Sequence, residues 1–245
     1  MKFDTISYTG YRSYSECPKK WWYRHVENVP DEERSYFSFG KTVHGALEQF
    51  VQPLLPPNTH VPVPELAVLE ALYDKNWLRG GYQTPEEEYT YYALGKRILA
   101  DFHRDWLLKR PVPLLLERWF DVSADGYRLH GFIDRIDLTE KDGLHILDYK
   151  TSKKAENAVE SDQLGVYQYA TEKLLTPPVE ALSLVNLRTM GYSTSPPRSA
   201  TQLADLKARV GEVVDRIRHE QFDPRPAWHC RFCPYRSLCP VGGRQ

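Results

Sequence analysis

GFIDRID (Gly131–Asp137) and LHILDYK (Leu144–Lys150) decide how this chain folds. The longer run YRLHGFIDRIDL and the segment LHILDYK are separated by the turn signal KDG. A second signal, ADG, precedes them and follows LLLERWFDV from residue 114 onward, so the three runs predict strands joined by hairpins. A helix is expected in SDQLGVYQYATEKLL (161–175), then a strand in EALSLVNLR (180–188), a Gly/Ser/Pro loop in MGYSTSPPRS, and a last helix with Leu203, Leu206, Val210, Val213 and Ile217 on one stripe. Helices followed by a β-β-β-α-β-α order argue an α/β core with a mixed sheet.

Upstream, FGKTVHGALEQFV sets Phe39, Val43, Leu47 and Phe50 at helical spacing, with His44 beside that apolar stripe. The proline-rich connector PPNTHVPVP (56–64) leads to a short helix ending at Gly80 and Gly81. Thr84 then caps a longer helix that starts at Pro85 and halts before Pro111. These segments, residues 53–111, read as a helical insert or lid.

A length of 245 residues allows one elaborated domain or two small ones. Hydrophobic residues at 41% and charged residues at 27% exclude wholesale disorder and a rod-like coiled coil. No apolar run reaches the roughly 18 to 20 residues that cross a bilayer, and the N-terminus lacks an apolar signal core, so a soluble, cytoplasmic protein with no membrane partner is expected. The net charge of -1 excludes a uniformly basic nucleic-acid binder but leaves a local basic face open. Arg225, Arg231, Arg236 and Arg244 occur with no acid among them, and Arg12, Lys19, Lys20 and Arg24 with Glu16 alone.

Strand alternation puts Asp148 and Lys150 on one face, two residues apart. Asp134 belongs to the neighbouring strand. Two carboxylates on adjacent strands suit a hard divalent cation such as magnesium, and a lysine ammonium beside them can stabilise developing phosphate charge or orient an attacking water. Isolated Asp and Lys residues are usually solvated, but DYK ends the apolar run LHIL, where an ionisable group needs a partner or a metal. Asp137 reads as the surface member of the set. Gln163 and Tyr167, four apart on one helix face, can reach the same phosphate or base.

The four cysteines are Cys17 near the start and Cys230, Cys233 and Cys239 in CRFCPYRSLCP. In a reducing cytosol such a set ligates metal more often than it forms disulfides. Four thiolates hold either structural zinc or a 4Fe-4S cluster, and the five-residue final gap leans toward iron and sulfur without deciding the matter. Pro18, Pro234 and Pro240 each follow a cysteine and fix the backbone beside the sulfur.

In this order, Cys17 in SYSECPKKWWY, His44 in GKTVHGALE, Asp134 in GFIDRID, Asp148 and Lys150 in DYK, Gln163 and Tyr167 in QLGVY, and the three late cysteines resemble the PD-(D/E)XK nuclease superfamily. The resemblance is to its iron-sulfur branch, typified by the RecB and AddB nuclease domains and the CRISPR-adaptation exonucleases. It implies a restriction-endonuclease-like α/β core, a central mixed β-sheet flanked by helices. It also implies a single domain over 1–245, with a catalytic sheet and helix over 112–190 and an iron-sulfur clasp of residues 1–30 with 225–245 joining the termini.

By the same resemblance, His44, Asp134, Asp148 and the Tyr149 backbone carbonyl bind Mg2+ or Mn2+, and Lys150 positions the nucleophilic water. Gln163 and Tyr167 contact DNA, Glu117 in LLERWF matches an additional acidic position, and Cys17, Cys230, Cys233 and Cys239 hold a 4Fe-4S cluster. The family's proline-aspartate pair is absent, since Ile133 precedes Asp134. An aromatic content of 13%, with Trp21, Trp22 and Tyr23 beside Cys17, offers stacking surfaces for unpaired bases.

The expected function is a metal-dependent deoxyribonuclease, an exonuclease trimming single-stranded ends in repair, recombination or CRISPR adaptation. The alternative is a non-catalytic or partner-dependent DNA-binding subunit of a helicase-nuclease or CRISPR-integrase complex. A third reading is a zinc-stapled DNA-binding protein.

Overall fold

A computed structural model describes residues 3–57 and 61–242. Arg244 of the basic C-terminal run therefore lies outside the described residues, as do residues 58–60 of the proline-rich connector.

Among the described residues six strands form one sheet. β1 is Thr5–Ser7, β2 Val112–Ala124, β3 Tyr127–Leu138, β4 Leu144–Lys150, β5 Val179–Asn186 and β6 Gly191–Ser195. Their order is β1-β3-β4-β5-β6, with β2 also on β3. β3 and β4 pair antiparallel (Arg135 with Leu147), β4 and β5 parallel (Asp148 with Leu184), and β5 and β6 antiparallel, so the sheet is mixed. The helices are α1 Tyr8–Glu16, α2 Pro18–His25, α3 Ser35–Val51, α4 Leu66–Asn76, α5 Pro85–Lys109, α6 Asp162–Leu174 and α7 Ala200–Arg218. The α/β class with a mixed central sheet flanked by helices is as the sequence implies.

The chain divides into two compact units. One comprises Glu33–Trp119 with Phe132–Arg198, the other Met1–Glu32, Phe120–Gly131 and Ser199–Gln245. In the first, the stripe on α3 buries Phe39, Val43, Ala46, Leu47 and Phe50 against Leu69 and Tyr73 of α4, Ile98, Leu99, Phe102 and Trp106 of α5, and Leu147, Tyr149 and Val185 of the sheet. Fully burying one such side chain is worth about 1.5 to 3 kcal/mol, so this contact set fixes α3 over β4.

The capping chemistry of α5 is as its sequence predicts. Thr84 Oγ1 accepts from the Glu87 N–H at 3.1 Å, Glu86, Glu87 and Glu88 fill the positive first turn, and Arg110 ends the helix in the left-handed region. Gly95 lets α5 approach α4, because a Cβ there would overlap the Tyr73 hydroxyl. Ser161 caps α6, which connects the parallel strands β4 and β5.

In the second unit β1 pairs parallel with the start of β3. Tyr23 Oη donates to the Leu238 carbonyl at 2.6 Å, and Tyr235 Oη donates to Asp31 Oδ1 at 2.6 Å, so side chains bond the N-terminal segment to the C-terminal one.

Four elements differ from expectation. β6 occupies the stretch GYSTS that reads as loop, because its small polar residues carry no hydrophobic alternation. β1, with three residues, is too short to show a period, and α1 and α2 flank Cys17 where no helix is expected.

Candidate metal centre

Each side chain of the centre stands on an element whose local sequence explains its position. His44 lies on α3, turned off the buried stripe, and is half-buried. Asp134 lies on β3 and Asp148 on β4, opposite one another when the Arg135–Leu147 register is continued by one residue. Glu117 lies on β2 with φ 40°, a left-handed conformation that a non-glycine residue adopts only at a cost of about 1 to 2 kcal/mol.

Ligand atoms of His44, Glu117 and Asp134 lie within 4.8 Å of one another. His44 Nδ1 is 3.5 Å from Asp134 Oδ2, and the same oxygen accepts the Tyr149 backbone N–H at 2.8 Å. Asp148 stands next to this group in a different network. Its Oδ2 is 2.6 Å from Lys150 Nζ, and its Oδ1 accepts from Gln163 Nε2 at 2.8 Å. Gln163 Oε1 accepts from Lys150 Nζ at 2.7 Å, while Gln163 Nε2 also donates to Tyr167 Oη at 2.8 Å. Gln163 thus links the acid, the lysine and the phenol.

Electrostatics show negative charge in surplus. Burial, helped by the Asp134, Glu48 and Asp148 charges, pushes the Glu117 carboxyl up to about 8. Burial followed by Asp134 raises Asp148 as well, although Lys150 opposes the shift. Lys150 is drawn down by burial, but Asp148 more than offsets this and its pKa is raised. Burial and the Asp148 and Asp134 charges raise Tyr167. Apart from its ion pair with Lys150, Asp148 Oδ2 is buried with no hydrogen-bond partner among the described residues. A divalent cation relieves both conditions, and one imidazole with several carboxylates is a donor set that suits magnesium or manganese.

The sequence model of the PD-(D/E)XK nuclease superfamily matches residues 5–240. The chain belongs to that superfamily.

The chain is 32% identical over 142 residues to the Gene 69 protein of Mycobacterium phage L5, an alignment covering 54% of this chain and 46% of that protein. The chain therefore spans about half the length of the curated relative it matches. A crystal structure of a candidate exonuclease from Eubacterium rectale shares the fold at a TM-score of 0.57 and 12% identity, covering 95% of this chain and 88% of that one. A crystal structure of SSO0001 aligns at a TM-score of 0.45 and 15% identity over 98% of this chain and 87% of its own.

The structure differs from sequence expectation at Asp137. Expected at the surface, it is only 5% exposed because Arg135, two residues back on the same face of β3, binds both its oxygens, with Nε to Oδ1 at 2.6 Å. Arg135 also donates to Tyr149 Oη at 2.8 Å and lies over the Trp106 ring. The pair therefore braces the side chain of the tyrosine between Asp148 and Lys150. Glu48, one turn beyond His44 on α3, adds charge to the centre and has no strand motif to announce it.

In the other unit the four cysteines are free thiols. Cys17 is buried and its Sγ accepts the Arg225 N–H at 3.4 Å; Cys230 Sγ accepts the Ala227 N–H at 3.4 Å. The Tyr23 phenol is raised by burial and then by the charges of Cys239, Cys233, Glu27 and Cys17, but among the described residues the four thiols are not gathered into a metal-ligating group. Trp21 and Tyr23, expected to offer stacking surfaces, are buried. Trp21 packs among Phe3, Tyr14, His25 and Phe222.

Proposed function

We propose that this chain is a magnesium- or manganese-dependent deoxyribonuclease that hydrolyses phosphodiester bonds at single-stranded DNA ends, acting as an exonuclease. The observation that carries it is the convergence of His44, Glu117 and Asp134 beside the Asp148–Lys150–Gln163 network. The superfamily match and the exonuclease name of the structural neighbour support it.

In this proposal His44, Glu117, Asp134, Asp148 and the Tyr149 backbone carbonyl hold the cation. When bound, such a cation supplies a water acidic enough to attack phosphorus at neutral pH. The Lys150 ammonium turns from Asp148 toward the phosphate, orients the attacking water and stabilises charge on the phosphoryl oxygens. Gln163 contacts the strand, and Tyr167 contacts it through the hydrogen bond that sets the Gln163 amide. The catalytic sheet and helix lie within 112–190 of a single nuclease domain.

The proposal includes a 4Fe-4S clasp on Cys17, Cys230, Cys233 and Cys239. Backbone N–H bonds to the sulfurs of Cys17 and Cys230 are the kind of interaction that stabilises cluster thiolates.

The test is cleavage of single-stranded and duplex DNA labelled at either end, with magnesium or manganese, by anaerobically purified wild type and Lys150→Ala. Metal-dependent cutting by wild type and none by the variant is expected, and retained turnover in the variant would refute the site. Silence from both proteins, with the cluster intact, would favour a DNA-binding subunit that acts with a helicase or CRISPR integrase.

A further inference from the structure

Trp119 and Phe132 are large aromatic residues on the sheet with about half their surface in solvent, at 48% and 51% exposed. Their ring centroids are 4.9 Å apart and the rings are tilted at 59°. Trp119 follows Glu117 by two residues on β2, and Phe132 precedes Asp134 by two on β3. β2 pairs with β3, and the ring contact places Trp119 beside Phe132. Side chains two apart on a strand share a face and stand about 6 to 7 Å from one another. Phe132 and Asp134 are therefore neighbours on one face of β3, and the aromatic pair borders that carboxylate of the metal centre.

We propose that Trp119 and Phe132 form a stacking platform for one unpaired base of the DNA strand being cut, and that this platform gives the nuclease its preference for single strands. This deepens the nuclease proposal and rests on it. A phosphodiester held at His44, Glu117 and Asp134 carries its nucleotide within reach of the pair, so the occupant is set by continuity with the metal centre. A base in a duplex has both faces covered by its neighbours and offers nothing to stack, whereas an unpaired base does. About half of each ring's surface reaches solvent, which is where a base would pack, and the tilt between the rings would limit its rotation. An aromatic pair between neighbouring strands also steadies the sheet, and a purely structural pair would do nothing more.

The test compares wild type with Trp119→Leu, Phe132→Leu and Phe132→Trp. The leucine variants keep apolar bulk and remove the ring; the tryptophan variant keeps a ring. Affinity for a fluorescein-labelled single strand and for a blunt duplex is read by anisotropy with Ca2+, and kcat/KM on the same strands with Mg2+. The same measurements use a strand with an abasic site at the nucleotide flanking the cut.

Each leucine variant is expected to lose about tenfold in single-strand affinity and kcat/KM, the scale of one lost base-aromatic stack, with duplex affinity unchanged. Phe132→Trp restores the loss, and on the abasic strand wild type and leucine variants become equal. Leucine variants that bind single strands as wild type does, or that lose single strand and duplex alike, overturn the platform while the nuclease stands. A wild type inert on every DNA overturns the nuclease proposal and the platform with it.

Discussion

Replacing Glu117 by glutamine should stabilise the metal-free protein while weakening its grip on the cation. In the fold the Glu117 carboxyl is pushed from 4.5 up to about 8, first by burial and then by the Asp134, Glu48 and Asp148 charges. A carboxyl with a raised folded-state pKa binds more protons folded than unfolded, so stability falls as pH rises from the unfolded value through the folded one. The window is therefore from about pH 4.5 to about pH 8.

A difference of that size corresponds to about 5 kcal/mol; because solvent reaches part of the carboxylate, screening reduces it to about 2 kcal/mol. For a chain of this length that is about 4 to 8 °C in melting temperature. The assay is thermal unfolding of chelator-treated wild type and Glu117→Gln at pH 5, 7 and 9, taking the difference between the two proteins at each pH to isolate this group. The variant should match wild type at pH 5 and exceed it at pH 9, and added Mn2+ should raise its melting temperature less than it raises that of wild type. A variant less stable than wild type at pH 9, or a difference that does not change with pH, would refute the electrostatic account of the centre.

Asp137→Leu leaves Arg135 buried and unpaired and should cost about 3 to 5 kcal/mol in urea unfolding, most of which the double variant Arg135→Met with Asp137→Leu should recover. Failure of the double variant to recover would point to the Arg135–Tyr149 bond as the larger contribution. Cys233→Ala should lose iron and the visible absorption of the cluster in anaerobically purified protein and lower the melting temperature, since ligand binding contributes directly to folding; an unchanged melting curve would refute the clasp. Lys41 is exposed on α3 one turn before His44 and on its face, so Lys41→Ala should reduce the slope of log affinity against log salt for single-stranded DNA by about 1. An unchanged slope would remove Lys41 from the strand's path.

The acid and lysine of DYK were legible because charged residues closing the apolar run LHIL have to meet a partner, and in the fold they meet each other and Gln163. Helical spacing placed His44 beside the stripe of Phe39, Val43 and Leu47 that α3 buries, but its part in a metal centre came from the resemblance and not from the spacing. Glu117 was matched by resemblance, but its place in the centre depends on a positive φ that no alternation rule anticipates. Asp137 misled because a strand-end aspartate is usually solvated. Its partner Arg135 sits two residues away on the same face, where a period-two reading puts both but does not show that Tyr149 and Trp106 enclose them. The small polar residues of β6 gave no strand signal because an edge strand can owe its place to its neighbour's hydrogen bonds rather than to a buried face.

Glu117 and Asp148 share a physical condition that separates them from the well-satisfied acids of this chain. Asp137 is also buried, yet Arg135 meets both of its oxygens. Asp148 has one lysine, which Gln163 shares, and Glu117 has neighbouring carboxylates in place of a cation. A fold selected only for stability would replace such groups by apolar residues of similar volume, because burying a carboxylate without full compensation costs several kcal/mol. Their presence in the sheet, with backbone strain at Glu117 added, is explained by a ligand that supplies the missing positive charge. The Arg135–Asp137 pair serves the same end, because Arg135 binds the phenol of Tyr149 while the Tyr149 N–H holds Asp134. A bond on one side of the sheet thereby fixes a carboxylate on the other.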